Sequence, residues 1–336
     1  MELKLLLKRG ALVAAANWPA VAIQFVAETT FQVLLAVPIV GAAILVAVLL
    51  GGDLAELLQG SLREIFTTIA STLMSEPVAL VSFMTAFSIV LVGGSMLMFL
   101  VKGGTIDVLL AANGAAGPIE REPIGLETFR DAARFTLPRF TNGCARLFGR
   151  YLALGVALML VYAVSIAAYL AFVVYGYRTA GDRVLVIGWT FIAALATGVL
   201  IAWITLMNSV YLLLQIAIAV DDVGVAEACR ATAHFVGAQF RNLAGVFVVV
   251  LALVIAATFA SALAWSGVGL IAFVPLVGLA VFPLQIAALL LRGLVFEYIG
   301  LTAVGAYVTL YTGYARRRGE ALGRSHLTST PLEHPA

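Results

Sequence analysis

Charge is what this chain has least of. Of 336 residues only 11% are Asp, Glu, Lys or Arg, while 62% are hydrophobic, and the mean hydropathy is +1.07. Soluble domains carry about 25% charged residues. A water-soluble fold of this length could not hide so much apolar surface, because folded proteins still expose a large apolar fraction. Lipid is the remaining solvent. Cysteine is also scarce: Cys144 and Cys229, with no CxxC pair, exclude a disulfide scaffold and a zinc module. The histidines are His234, His326 and His334. None stands at a spacing that supports a carboxylate–His–nucleophile arrangement, and no P-loop, GxGxxG or HExxH is present. No catalytic residue, cofactor, metal or nucleic-acid partner is expected.

What the chain has is long apolar runs. A helix needs about 20 apolar residues to cross a ~30 Å hydrocarbon layer. Six runs qualify: Thr30–Leu50, Val78–Val101, Phe148–Tyr175, Val184–Met207, Leu243–Trp265, and a last one at 290–312. Backbone polar groups in lipid must be paired within the segment, and no barrel-like alternation is visible, so the expected fold is an all-α polytopic bundle. The N-terminus is not read as a cleaved signal peptide, because the run Ala11–Ala16 stops at Asn17-Trp18-Pro19. Residues 1–29 are expected to form an amphipathic helix on the membrane surface. Gly51–Pro77 reads as an amphipathic outer element, and residues 315–336 as a disordered tail rich in Ser, Thr, Pro and Gly. Residues 270–292, interrupted by Pro275, Pro283 and Gln285, read as a kinked or re-entrant stretch rather than a seventh crossing.

The basic residues test this layout. Lys4, Lys8, Arg9; Lys102, Arg121, Arg130, Arg134, Arg139, Arg146, Arg150; Arg230, Arg241; and Arg316, Arg317, Arg318, Arg324 all fall on one side. The other side holds Arg63, Arg178 and Arg183, and Arg292 lies in or near the membrane. Such a bias predicts a bacterial-type inner-membrane protein with both termini cytoplasmic.

Two stretches on the basic side align at an offset of 100 residues. GLETFRDAARFTLPRFTN at 125–142 and VAEACRATAHFVGAQFRN at 225–242 share Glu127/Glu227, Arg130/Arg230, Ala133/Ala233, Phe135/Phe235, Phe140/Phe240 and Asn142/Asn242. Each follows a span that arrives and precedes a span that leaves, which suggests parallel repeats. Glu2, Arg9 and Asn17 have the spacing of Glu127, Arg134 and Asn142, as a third copy would. In the first stretch Glu127, Arg130, Asp131 and Arg134 share one helical arc, with Leu126, Phe129, Ala133 and Leu137 opposite. Surface helices are therefore expected at 125–140 and 224–240. Arg130, Arg134, Arg139, Arg146 and Arg230 are the candidate contacts for anionic headgroups.

The stretch Ala219-Val220-Asp221-Asp222-Val223-Gly224, continuing through Glu227-Ala228 and Arg230-Ala231 to Phe240, and the ending Thr309-Leu310-Tyr311-Thr312-Gly313-Tyr314-Ala315-Arg316 resemble a known pattern. They are similar to a broad bacterial and archaeal superfamily of six-span membrane proteins. It includes the membrane domain fused to some glycerophosphodiester phosphodiesterases. Ala233 and His234 stand where that pattern usually has Ser and Trp. The resemblance implies a fold and a membrane location. It transfers no catalytic residue, and the phosphodiesterase domain is absent from this sequence.

Asp221-Asp222 lacks enough neighbouring oxygen ligands for a metal pair and reads as the close of a span, favouring the N-terminus of the next helix. Ionisable or polar groups at membrane depth mark pathways, sites or interhelical ties. Arg292, Glu297, Gln285 and Asn208 are the intramembrane candidates. The expected function is a non-enzymatic scaffold, accessory subunit or lipid-interacting factor of the envelope. The rival is a small permease or channel using the polar residues of the last spans. Expected partners are membrane lipids and a membrane protein or second copy of the chain.

Overall fold

Proline sets where three of the long helices begin. The computed structural model describes residues 2–49, 75–121, 125–179, 183–272 and 277–328. In chain order these form α1 (Leu3–Ala16), α2 (Trp18–Leu49), α3 (Pro77–Ala115), α4 (Leu126–Ala132), α5 (Leu137–Thr179), α6 (Arg183–Asp221), α7 (Val225–Ala272) and α8 (Val277–Thr328). Pro77, Pro19 and Pro138 occupy the first or second position of α3, α2 and α5. There the missing N–H would have had no helical partner anyway. Among the described residues all regular structure is helical, and six helices are long and apolar enough to span a membrane. The chain is an all-α multi-pass transmembrane bundle.

The helices depart from the expected limits in instructive ways. The surface helix expected at 125–140 is broken: α4 ends at Ala132, and residues 133–136 are not helical. Pro138 accounts for this, since a continuous helix would drive its ring into the carbonyl of Arg134. The helix expected over 1–29 stops at Asn17 for the same reason, with Pro19 just beyond. Nor does α1 lie apolar-side down on lipid: Leu6, Gly10, Leu12, Val13 and Ala14 are buried within the protein. The 224–240 helix forms, with Gln239 leaving helical geometry (φ −125°, ψ 20°) at its junction with the span. Residues 315–328, expected to be disordered, continue α8; Ala315, Arg316–Arg318, Glu320 and Leu322 are good helix formers. Pro283 lies inside α8, whose stretch Pro283–Glu320 is one helix long and apolar enough to cross a membrane. The outer element expected at Gly51–Pro77 lies largely outside the described residues.

The chain divides into two units, Ala22–Val101 on one hand and Met1–Val21 with Lys102–Ala336 on the other. In the smaller unit the Phe31 ring occupies the space beside Gly94 that a Cβ would need. Phe83 and Phe87 stack with centroids 5.9 Å apart.

The larger unit buries its core at one end of its helices. Leu109 of α3, Leu147 and Tyr151 of α5, Ile216 and Ile218 of α6, Phe235 of α7, and Leu301 and Tyr311 of α8 are fully buried there, with Leu6 and Val13 of α1. Farther along the same helices the large apolar side chains face outward, among them Leu160, Val164, Ile187, Val199, Phe259 and Leu263. That surface is dictated by the solvent: lipid tails are as apolar as leucine, so nothing drives those side chains inward.

Close approach of α1 to α8 requires glycine. A Cβ on Gly10 would overlap the Thr302 carbonyl oxygen and lie 2.8 Å from the Ala306 nitrogen, while one on Gly305 would lie 3.1 Å from Gly10 Cα. These are backbone atoms that cannot step aside. Gly10→Ala is therefore expected to destabilise by about 1–3 kcal/mol. Gly313→Ala in α8, with nothing within 4 Å, is expected to be neutral or stabilising by up to about 1 kcal/mol. Thermal unfolding of the two purified variants in detergent checks the contrast; equal melting points would remove the close-approach argument.

Candidate functional site

Arg9, on the buried face of α1, is 12% exposed at its side chain and pairs with Glu120, 7% exposed, at 2.7 Å. Its Nε donates to Asn113 Oδ1 (2.7 Å), its Nη2 to the Asn113 carbonyl (2.7 Å), and its Nη1 to the Gly117 carbonyl (2.5 Å) as well as to Glu120. Gly117, at φ +52°, turns the chain at the end of α3 so that its carbonyl and Glu120 face the guanidinium. A residue with a Cβ is disfavoured there. Asn113 carries the connection onward to α8, accepting from Thr309 Oγ1 (3.0 Å) and facing Thr312 Oγ1 (3.3 Å).

Asn17 performs the same service for the α4–α5 break. It is fully buried. Its Nδ2 donates to the carbonyls of Val13 and Ala132, and its Oδ1 accepts from the amides of Arg134 and Phe135, all at 2.9 Å. The backbone groups freed by the break are thus paired.

The acidic pair closing α6 is split between two networks. Asp221 Oδ2 accepts from Tyr311 Oη (2.6 Å) and Arg318 Nη2 (3.3 Å) of α8. Asp222, in the left-handed region at φ +54°, points the other way and accepts from Arg150 Nη1 at 2.6 Å. Arg146 lies 3.8 Å from the same carboxylate and donates to Asp107 of α3 at 2.6 Å. The hydrogen bond from Arg150, reinforced by its charge and that of Arg146, holds the Asp222 carboxyl below its ordinary value. Both aspartates are occupied by arginines, and among the described residues no three His, Cys, Asp or Glu side chains gather as a metal site.

Beside this network lies a cleft of about 430 Å³ lined by Asp221, Val223, Glu227, Arg230, Ala231, His234 and Arg318. Phe235, next in sequence to His234, makes an edge-on contact with Tyr311 (4.9 Å) and a tilted one with Tyr314 (5.3 Å). Arg130, Arg134, Arg139 and Arg230 are all exposed. Among the described residues their guanidinium groups have neither ion-pair nor hydrogen-bond partners. Leu126 (91% exposed), Leu137 and Phe240 are exposed beside them, as is Trp18, next to Asn17. Arg146, expected to belong to this set, is instead engaged by Asp107 and Asp222.

The intramembrane candidates part company. Asn208 accepts from Tyr162 Oη at 2.7 Å, as one rung of a polar ladder between α5 and α6. The other rungs are Trp203 Nε1 to Ser165 (3.0 Å), Tyr169 with Thr197 (2.7 Å), Tyr177 with Thr190 (3.0 Å) and Trp189 Nε1 to the Val173 carbonyl (3.3 Å). Asn208 is thus an interhelical tie. Gln285 and Glu297 are half-buried on α8. Arg292 is exposed on the same helix, its Cζ 5.6 Å from the Phe296 ring centroid.

Asp107, Asn113 and Glu120 carry no role in the sequence pattern, and Arg9 and Tyr311 enter it only as a repeat position and as part of the chain's ending. A signal existed: Asp107, Asn113 and Glu120 punctuate an apolar stretch that continues a span, which a simple loop would not need. No family model, no curated protein and no solved structure matches this chain.

Removing one partner from a buried ion pair strands the other charge. Arg9→Met is expected to cost about 3–5 kcal/mol. Combined with Glu120→Gln, the loss should be smaller than the sum of the two single losses. A double-mutant cycle on detergent-purified protein measures this; additive losses would mean the two side chains do not act as a pair.

Proposed function

We propose that this chain is a non-enzymatic protein of a bacterial-type inner membrane, with both termini cytoplasmic, that acts as a lipid-interacting scaffold or accessory subunit. In this reading it holds anionic headgroups of the cytoplasmic leaflet. The observation that carries it is the set of four unpaired, exposed arginines, Arg130, Arg134, Arg139 and Arg230. Leu126, Leu137, Phe240 and Trp18 are exposed as well, Leu126 and Leu137 within four positions of Arg130 and Arg139. A basic side chain near an anionic membrane surface contributes about 1 kcal/mol of attraction, and aromatic and aliphatic neighbours anchor the same level in the acyl boundary. The strong one-sided placement of Lys and Arg supports the orientation. So does the likeness of the α6–α7 turn and the chain's ending to the six-span superfamily. The architecture we infer is a parallel repeat. In favour of it, α1, α4 and the first part of α7 are each followed by a break and then a span.

Orientation has a native reporter, because Cys229 is exposed and Cys144 buried. In intact spheroplasts a membrane-impermeant maleimide should leave Cys229 unmodified until the membrane is permeabilised. Modification before that would reverse the orientation.

Lipid recognition is tested by extracting the chain with its surrounding lipid in polymer discs. The wild type should be enriched in phosphatidylglycerol over the bulk membrane. Replacement of Arg130, Arg134, Arg139 and Arg230 by Gln should bring the composition back to bulk. An unchanged lipid ratio in that variant would remove the reading.

A further inference from the structure

A second polar feature stands at the far end of the last two spans. Between α7 and α8 runs a groove of about 290 Å³. Its α7 wall is Ala257, Ala260, Ser261 and Ala264, small residues at helical spacing that leave room instead of filling it. Its α8 wall presents Arg292 and Phe296. The guanidinium lies over the Phe296 ring, a geometry that orients a cation while leaving its N–H donors free.

Among the described residues Arg292 has no counter-ion. No Asp, Glu, Lys or Arg occurs between Arg241 and Arg292, and among the described residues no carboxylate pairs with it. A guanidinium cannot discharge itself by losing a proton. At membrane depth it has to find an anion or reach water.

Depth follows from helix geometry. Arg316 lies 24 positions beyond Arg292 on α8, so about 36 Å separates their levels along the helix. Ala260 is 21 positions beyond the Gln239 kink of α7, or about 32 Å. Both distances match the ~30 Å hydrocarbon thickness. The groove therefore lies toward the end of these spans opposite the exposed arginines.

We propose that this groove is a binding site for a single anionic phospholipid of that opposite leaflet. Arg292, held in place by Phe296, takes the phosphodiester, whose charge an anionic lipid leaves without a neighbouring ammonium. One acyl chain lies along the Ala257–Ala260–Ser261–Ala264 wall. A soluble anion fits less well, because apart from Ser261 the rest of the lining is apolar, exposed Leu289 and Leu291 included. The assignment extends the lipid-interacting reading to the other leaflet, but it uses none of the residues on which that reading stands.

Native mass spectrometry of the detergent-purified chain, titrated with dioleoylphosphatidylglycerol and separately with dioleoylphosphatidylcholine, tests it. The wild type should bind the first phosphatidylglycerol in preference to phosphatidylcholine. Arg292→Gln should weaken that first binding about tenfold, as expected for loss of a charge-assisted contact, and leave phosphatidylcholine unaffected. Arg292→Lys should retain part of the preference. Ala260→Met, which narrows the groove and keeps the charge, should weaken the same adduct. Equal phosphatidylglycerol affinity in Arg292→Gln and wild type would overturn the proposal. So would displacement of the lipid by millimolar inorganic phosphate, which would mark a soluble-anion site. Loss of lipid preference on replacing Arg130, Arg134, Arg139 and Arg230, with the Arg292 response intact, supports both sites as separate. A response to Arg292 alone supports this one and counts against the other.

Discussion

A guanidinium withdrawn from water has to be hydrogen-bonded on all sides, and this requirement at Arg9 organises one whole end of the molecule. Its four donor contacts tie α1 to the last turn of α3, to the Gly117 turn and to Glu120. Through Asn113 they reach Thr309 and Thr312 of α8. Such a pair adds little to stability compared with a well-packed apolar alternative. Its effect is to make a single arrangement acceptable. Any register shift of α1 along α8 would bury the charge unpaired and drive Gly10 off Gly305.

The same logic explains where the core lies. Lipid relieves the outer reaches of the helices from any need to be buried, so side chains such as Val199, Phe259 and Leu263 remain on the surface. Polar side chains there form rungs between neighbouring helices, as Tyr162 with Asn208 and Tyr169 with Thr197 do. Buried packing and ion pairs gather instead at the end where helices leave the hydrocarbon and polar backbone reappears. The Asp107–Arg146–Asp222–Arg150 string and the Asp221–Tyr311–Arg318 contact knit α3, α5, α6 and α8 at that level.

Hydropathy alone was enough to read the helical class and the number of apolar helices, because the cost of an unpaired backbone group in lipid leaves few options. Helix limits were less legible. Lys102 was read as the start of a loop, yet it lies inside α3, over the Tyr211 ring at 5.6 Å. A charge ends a span in lipid without ending the helix. Pro138 forbids a continuous 125–140 helix, however amphipathic the residues on either side of it. Arg292 was legible as unusual because it stands alone in an apolar run. Arg9 was not, because it resembled an ordinary basic flank. Its role depends on partners more than 100 positions away, which no local pattern carries.

The packing of α1 on α8 also orders events in time. α1, made well before α8, finds its resting place on it. Some 290 residues separate Gly10 from Gly305, which at 5–20 residues per second means about 15–60 s of synthesis. Through that interval the face of α1 around Gly10 lacks its α8 cover, although the Arg9 partners Asn113, Gly117 and Glu120 are made much earlier. That face of the nascent chain must be sheltered by lipid or by the insertion machinery until α8 emerges. Docking of α1 on α8 is then the step that closes this end of the unit.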